Sequence, residues 1–217
     1  MKKNEDKYLN GIRTYRFLYE FIKWTGILPM LLFLRPKISY VDKKAVKALK
    51  GPFLITSNHR TMIDPLIITF AFPFKYMFYV AQEQLFEVPA KGWLFSQVNC
   101  IKIDRKNIDM ETFRTIGRKL KKGYPVCIFP EGRVQSGNSE GFKGGGAMIA
   151  LTNNVPVLPI HLEERKSIWH CSRLVVGKPI YLDEVVWQSR SMMSVNKLTD
   201  YLFEKEKELE SYYKEEK

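Results

Sequence analysis

The chain has 217 residues, of which 45% are hydrophobic, so it is long and apolar enough to build one large α/β domain with a sizeable core. Its 35 Lys and Arg against 23 Asp and Glu give a formal net charge of +12, and residues 1–50 alone hold twelve basic and four acidic residues. The three cysteines, Cys100, Cys127 and Cys171, lack metal-like spacing, which excludes a cysteine-built metal site. Cys100 and Cys127 lie in apolar runs and are expected to be inert core thiols.

The basic start of the chain is also rich in apolar residues. Within residues 8–34, basic side chains alternate with aromatic and aliphatic ones, and the last eleven residues, 24–34, carry no charge. That run is too short to span a bilayer, and Gly26 and Pro29 interrupt it, which predicts a bent or hairpin-like pair of helices. We expect residues 8–34 to lie on or dip into one membrane leaflet. The alternative is a core helix of the globular domain.

Strands and helices are predicted to alternate through the rest of the chain. Apolar or alternating runs predict strands over 52–57, 75–81, 100–105, 125–129, 155–160 and 173–182. Helical patterns occupy 66–72, 84–97, 109–122, 147–151 and 191–217, while 39–50 is helix or loop and 130–141 is a loop. This order predicts an α/β fold with a mostly parallel central sheet flanked by helices. We expect a membrane-associating segment over 1–38 and one catalytic domain over 39–217.

A histidine and an aspartate stand five residues apart directly after the first strand of that domain. The run N-H-R-T-M-I-D-P occupies residues 58–65 and contains His59 and Asp64. A turn is needed to bring the two side chains together, because a continuous helix would place them about 140° apart. An imidazole oriented by a carboxylate acts as a general base near neutral pH, here on an acceptor hydroxyl. Asp64 before Pro65 is also the pattern of an ordinary helix start, with the aspartate as N-cap.

Three further blocks follow this pair in order. Lys102 and Arg105 close a predicted strand, F-P-E-G-R directly follows another at 129–133, and V-P-V-L-P-I at 155–160 forms an apolar wall. An arginine can bind phosphate through two hydrogen bonds, and a lysine adds charge. Taken singly, Arg105 and Arg133 would be assigned to surface ion pairs.

The order of the four blocks, over about residues 50–165, resembles the glycerolipid acyltransferase family, in particular the 1-acylglycerol-3-phosphate acyltransferases. The resemblance implies that His59 is the general base and Asp64 its partner. The reaction it implies moves a fatty acyl group from acyl-ACP or acyl-CoA to the free hydroxyl of 1-acylglycerol 3-phosphate and gives phosphatidic acid. No metal or bound cofactor is implied, because the thioester donor is a substrate. The substrate-binding residues implied by the resemblance are Asn58, Lys102, Arg105, Glu131, Gly132, Arg133, Pro156 and Pro159.

Within that set, the resemblance assigns Lys102 and Arg105 to the acceptor phosphate, Glu131 and Gly132 to the acceptor, and residues 155–159 to the acyl chain or donor. One position departs from the family pattern E-G-T-R, because Arg133 follows Gly132 with no threonine between them. This shift leaves the acceptor headgroup open, and another lysophospholipid or glycerolipid is an alternative. The implied partners are a lysophospholipid, acyl carrier protein or a CoA thioester, and a membrane surface. The implied location is the cytoplasmic face of the cell membrane, peripheral or monotopic.

Two other classes of function are open from sequence. Residues 137–141 match the G-x-S-x-G of serine hydrolases, with Ser139 as the nucleophile, but a polar loop separates them from the preceding strand, which that motif does not allow. The basic composition would also suit a membrane-surface or nucleic-acid binding protein without enzymatic activity. No recognised nucleic-acid motif accompanies the charge, so nucleic acid is not an expected partner. Lys2 and Lys3 precede polar residues, so no cleavable signal peptide is expected.

Overall fold

A computed structural model of the chain describes residues 8–33, 35–104, 110–131, 142–163, 172–185 and 191–215. The strands in these ranges are β1 (Tyr8–Leu9), β2 (Ile12–Arg13), β3 (Lys37–Tyr40), β4 (Leu54–Ser57), β5 (Phe78–Gln82), β6 (Cys100–Ile103), β7 (Val126–Ile128), β8 (Val157–Leu162) and β9 (Arg173–Val176). The α-helices are α1 (Arg16–Phe33), α2 (Lys43–Ala48), α3 (Asp64–Ala71), α4 (Pro89–Gln97), α5 (Met110–Lys121), α6 (Gly145–Asn153) and α7 (Met192–Glu215). Short 3₁₀ helices occupy Glu83–Phe86 and Leu182–Glu184.

The described residues form a seven-stranded sheet in the order β3-β9-β8-β4-β7-β5-β6. Strands β8, β4, β7, β5 and β6 are mutually parallel, and β9 joins β8 in antiparallel orientation. The predicted α/β fold with a mostly parallel central sheet is therefore confirmed. Strand β3, which pairs with β9 over Lys37–Tyr40, was missed because this edge strand is polar and short. The predicted division at residue 38 falls inside it, and that division stays a prediction.

Alternating side chains of the strands build one apolar layer on each face of the sheet. Leu54 of β4 packs in one layer, with Ile116 and Leu120 of α5 and with buried residues of α6 and α7. Ile55, its neighbour along the chain, packs in the other layer, with Ile68 and other residues of α3. The central strands are covered on both faces, so their ends are the places where polar chemistry meets solvent.

The N-terminal segment differs from the predicted bent or hairpin-like pair of helices, because α1 runs unbroken from Arg16 to Phe33 with Pro29 inside it. A proline removes one N–H donor and kinks a helix without having to end it. Tyr19 anchors the helix on the domain, with its ring centroid 4.5 Å from that of Tyr76. Phe17 and Phe21 on the outer side are 81% and 55% exposed. Among the described residues, no helix is long and apolar enough to cross a bilayer.

Candidate active site

The predicted catalytic pair lies where β4 ends. The chain leaves the sheet after Ser57, turns through residues 58–63, and starts α3 at Asp64. The Nδ1 atom of His59 is 2.9 Å from Oδ2 of Asp64. The turn thus brings together two side chains that a continuous helix would have separated. Because a carboxylate only accepts hydrogen bonds, this contact places the imidazole proton on Nδ1 and leaves Nε2 able to accept a proton.

Hydrogen bonds from residues 60 and 61 hold the carboxylate of Asp64 in place, and the same bonds stabilise the turn. Its Oδ2 atom accepts hydrogen bonds from the backbone N–H groups of Arg60 at 2.7 Å and Thr61 at 2.8 Å. Its Oδ1 atom accepts one from the Thr61 hydroxyl at 2.5 Å. The expectation that Asp64 caps α3 is wrong, since the helix has Ile63 at its N-cap and no side-chain cap bond. The carboxylate faces back into the turn because the orphan N–H groups of residues 60 and 61 attract it there.

His59 is fixed from two further sides. Its ring stacks on Phe129, with centroids 4.1 Å apart and planes 19° from parallel. Its backbone N–H donates to Oε2 of Glu131 at 3.2 Å. Glu131 is only 4% exposed, and its Oε1 atom has no hydrogen-bond partner in the described part of the chain. Residues 129 and 131 follow β7, the parallel neighbour of β4, so the sheet itself brings the first and third sequence blocks together.

Asn58 joins the turn to β8. Its Nδ2 atom donates to the carbonyl of Leu162 at 2.8 Å, and the N–H of Leu162 donates to its Oδ1 atom at 2.7 Å. The residue is fully buried. Its side chain therefore positions the backbone next to His59, and its predicted contact with substrate stays a prediction.

An apolar cavity of about 270 Å³ opens beside His59. Its walls come from distant parts of the chain: Val80 on β5, Ile103 on β6, Ile116 on α5, Ile128 on β7 and Ile149 on α6. This volume lies near the lower end for small-molecule sites, which start at roughly 300 Å³. Lys143 is the one charged side chain among the described residues that line it. The arrangement offers an apolar chain a place next to a base.

The cysteines near the site are not nucleophiles. Burial raises the pKa of Cys100, which lines the cavity, to about 12. Burial raises the pKa of Cys127 well above its ordinary value, and the nearby charge of Asp64 adds to the rise. Both thiols are buried and free. Their predicted role as inert core thiols agrees with this, because the reactive form is the thiolate.

The other predicted site residues that the structure describes do not line the cavity beside His59. Lys102 is exposed on the edge strand β6, where its Nζ atom is 2.7 Å from Oε1 of Glu83. Pro156 is half-buried before β8, and Pro159 is buried within that strand, and neither lines the cavity beside His59. Their assigned roles stay predictions. Arg105, Gly132, Arg133 and Ser139 lie outside the described residues.

Sequence reasoning missed several residues of this site. Thr61 completes the shell of Asp64, and its signal was a hydroxyl residue three positions before the aspartate, a spacing at which local hydrogen bonds form. Phe129 supplies the surface on which His59 stacks, although it was predicted only as the end of a strand and the first residue of the F-P-E-G-R block. The cavity residues gave no local signal because they are ordinary core residues of five elements. Within the described residues, no group of three potential ligands could hold a metal ion.

A known protein family matches the part of the chain that holds this site. The family model for the Acyltransferase domain matches residues 37–163, which is more than half of the chain. The chain belongs to the acyltransferase family. The matched range begins at β3, ends just after β8, and contains the turn with His59 and Asp64. The resemblance predicted from the four blocks is therefore confirmed at the level of the family.

Named relatives of this acyltransferase-family protein share one activity in their descriptions. A probable 1-acyl-sn-glycerol-3-phosphate acyltransferase of Mycoplasma pneumoniae is 29% identical in an alignment that covers 72% of this chain and 59% of that protein. A 1-acyl-sn-glycerol-3-phosphate acyltransferase of Bacillus subtilis is 24% identical in an alignment that covers 89% of this chain and 98% of that protein. The chain thus spans little more than half of the first relative and almost all of the second.

The fold has a solved counterpart. The crystal structure of the 1-acyl-sn-glycerophosphate (LPA) acyltransferase PlsC from Thermotoga maritima matches with a TM-score of 0.65 at 19% sequence identity. The match covers 91% of this chain and 80% of that one. At this identity the likeness establishes the shared α/β architecture, and the chemistry must be argued from the side chains.

Proposed function

We propose that this protein transfers a fatty acyl group from acyl-CoA or acyl-ACP to the free hydroxyl of 1-acylglycerol 3-phosphate, giving phosphatidic acid. The observation that carries the proposal is the 2.9 Å contact between His59 Nδ1 and Asp64 Oδ2 at the mouth of an apolar cavity. The family membership and the descriptions of the relatives support the choice of acyl transfer.

The reaction follows from the geometry of the base. Nε2 of His59 removes the proton of the acceptor hydroxyl as its oxygen attacks the thioester carbonyl. A C–O bond forms, the C–S bond breaks, and the departing thiolate takes the proton from the imidazolium. Asp64 orients the ring through Nδ1 and stabilises the imidazolium while the proton is held. No nucleophile of the enzyme is needed, which agrees with the raised pKa values of Cys100 and Cys127.

The cavity and its rim supply two substrate contacts in this proposal. The acyl chain lies in the space walled by Val80, Ile116 and Ile149, where burying each methylene contributes about 0.8 kcal/mol. Lys143, at the rim with His59, contacts the phosphate of the acceptor. Lys102 and Arg105, which the family resemblance assigns to the same phosphate, remain part of the proposal, and so does Arg133 as a substrate-binding residue.

We also propose that the protein works at the membrane surface, on its cytoplasmic face, without spanning the bilayer. The support is a set of exposed apolar side chains on three helices, α1, α3 and α4. Phe17 and Phe21 of α1, Leu66 of α3 and Trp93 of α4 are all exposed. Met62, between β4 and α3, is 59% exposed and lines the cavity beside His59. A lipid acceptor that enters the cavity past Met62 would meet the base directly.

An acceptor panel tests the proposal. Purified protein is supplied with acyl-CoA or acyl-ACP and with 1-acylglycerol 3-phosphate, lysophosphatidylglycerol or lysophosphatidylcholine, and the diacyl products are quantified. We expect phosphatidic acid to be the main product. Transfer to another lysolipid, with none to 1-acylglycerol 3-phosphate, would keep the chemistry and defeat the substrate. No transfer to any acceptor, from an intact folded protein, would defeat the proposed activity.

A further inference from the structure

A second cavity, of about 350 Å³, lies near the amino ends of the parallel strands, whereas His59 lies at their carboxyl ends. Its walls include Tyr76 just before β5 and Tyr124 just before β7, at the amino ends of the parallel strands. The five steps along the chain from Tyr124 to Phe129, the residue under the His59 ring, span roughly 17 Å at about 3.3 Å per residue. This cavity is therefore separate from the proposed catalytic site.

Three cationic side chains line this cavity, and no acidic one does among the described residues. Arg13 lies on β2, Arg16 is the first residue of α1, and Lys119 lies in the last turn of α5. Glu20, one turn beyond Arg16, is engaged by Lys23, with Nζ and Oε2 2.5 Å apart. Among the described residues, the walls of this cavity therefore carry a net positive charge that suits an anion.

Lys119 identifies the cavity as a binding site rather than a gap in the packing. The residue is only 8% exposed, and its Nζ atom lies 4.7 Å from the centroid of the Phe78 ring. In the described part of the chain it meets no carboxylate and no hydrogen-bond acceptor. Burial, together with the charge of Arg118, lowers the pKa of Lys119. A buried ammonium group without a counter-ion costs stability, and an anionic ligand would remove that cost.

We propose that this cavity binds the phosphate headgroup of an anionic membrane phospholipid, with Arg13, Arg16 and Lys119 as its ligands. Aromatic rings hold two of the cations in place. The guanidinium carbon of Arg16 lies 5.0 Å from the Tyr76 ring centroid, and that of Arg13 lies 5.2 Å from the Tyr15 ring centroid. Guanidinium groups bind phosphate oxygens through pairs of hydrogen bonds, and the ammonium group adds a point charge.

A lipid is favoured over a free phosphate ester by the residues at the rim. Phe17 lines the same cavity and is 81% exposed, and its ring stacks on that of Phe21 at 6.3 Å. A free ester would leave both rings in water, whereas the acyl region of a bound lipid would cover them. The site goes beyond the proposed acyl transfer, because it would hold a bilayer lipid at the start of α1 whether or not His59 is active.

Matched lysine variants test the site. Lys119→Met keeps the length of the buried side chain without its charge, and Lys121→Met removes the same charge from an exposed position two residues later. Binding is measured with vesicles of phosphatidylcholine that contain or lack phosphatidylglycerol. We expect Lys119→Met to bind the anionic vesicles at least about tenfold more weakly than wild type, as for the loss of one hydrogen bond to a charged group. Lys121→Met is expected to lose no more than about threefold. Equal losses in the two variants would overturn the proposal.

Thermal unfolding distinguishes the two sources of phosphate. Short-chain, water-soluble phosphatidylglycerol is expected to raise the melting temperature of wild type and of Lys121→Met, but not of Lys119→Met. Glycerol 3-phosphate at the same concentration is expected to have no such effect, and equal protection by it would replace the lipid with a free ester. If Lys119→Met does not fold, Arg16→Gln provides the second test, with exposed Arg114→Gln on α5 as its control. Anionic-vesicle binding by Arg16→Gln equal to that of its control would contradict the site.

Discussion

The Nδ1 atom of His59 lies 2.9 Å from Oδ2 of Asp64, and the same oxygen accepts two backbone hydrogen bonds from the turn between them. One carboxylate thus shapes the turn and orients the imidazole that the turn presents. The structure of the turn and the catalytic role of His59 therefore depend on the same side chain, that of Asp64. Changes to Asp64 should therefore affect structure and catalysis together.

Asp64→Asn is expected to lower kcat by roughly 10²–10⁴-fold, the contribution typical of a positioned acid–base group. The amide keeps one acceptor oxygen, but its NH₂ group faces the N–H donors of the turn or the imidazole. Steady-state rates and melting temperatures are measured for this variant and for Asp42→Asn. Asp42 accepts a backbone bond from Ala45 at 2.9 Å and lies outside the site. If both variants lose activity only in proportion to stability, Asp64 is merely structural.

Glu131 is expected to act by positioning His59. Glu131→Gln keeps an acceptor oxygen for the His59 N–H and should retain kcat within a few-fold of wild type. Glu131→Ala leaves that N–H unpaired in a buried place and should lower kcat by roughly tenfold. The resemblance to the family instead assigns Glu131 to acceptor binding, which would raise KM for the acceptor in Glu131→Gln. The separation of kcat from KM in the two variants decides between these roles.

The cavity beside His59 should set the acyl-chain preference. Ile116→Phe adds bulk to its wall, whereas Leu120→Phe, one turn later on α5, adds similar bulk to the core outside the cavity. Overpacking is expected to cost each variant about 1–3 kcal/mol of stability. Only Ile116→Phe should shift the preference toward shorter acyl donors, measured as relative rates across a series of acyl-CoA chain lengths. An identical profile for the two variants would place the acyl chain elsewhere.

Lys119 should impose a pH dependence on stability. Its pKa in the folded protein lies below its ordinary value of 10.5, so folding favours the neutral amine. Wild type should therefore gain stability relative to Lys119→Met as pH rises through the folded-state pKa toward 10.5. At neutral pH, without lipid, Lys119→Met should be the more stable protein. The titratable or charged groups that line the cavity with Lys119 are Arg13, Tyr15, Arg16, Tyr76 and Tyr124, and Arg118 is its neighbour on α5.

Melting temperatures of wild type, Lys119→Met and Lys121→Met over this pH range check the effect. The difference between wild type and Lys119→Met should shrink with rising pH, while Lys121→Met should follow wild type. A constant difference would mean that the variant changes packing rather than charge.

The sequence pattern predicted the strands whose carboxyl ends carry the proposed catalytic site, because those strands are strongly apolar. The runs that became β4 and β7 are buried on both faces, and such strands show themselves as continuous apolar stretches. Strand β3 has no such stretch, since it is a polar edge strand that needs β9 for its hydrogen bonds. The continuation of α1 past Pro29 was also not predicted. The Tyr19–Tyr76 contact that anchors this helix on the domain joins residues far apart in the sequence.

Contacts between side chains far apart in the sequence could not be predicted from local patterns. The family resemblance implied a substrate contact for Asn58, whereas its hydrogen bond to Leu162, which is 104 residues away, had no signal in the sequence. The direction of the Asp64 carboxylate depends on the turn geometry rather than on residue type. Lys119 did carry a local signal, since it lies among Ile116 and Leu120 on a helix whose other basic residues are exposed. A lysine on the apolar side of an amphipathic helix is rare without a partner.

The role of His59 is tested most directly by acyl transfer to 1-acylglycerol 3-phosphate by wild type and His59→Ala, with phosphatidic acid as the measured product. We expect wild type to form phosphatidic acid from a thioester donor. We expect His59→Ala, folded and with an unchanged melting profile, to be slower by at least roughly 10²-fold. Wild-type rates of phosphatidic acid formation by His59→Ala would contradict the assignment of the catalytic base.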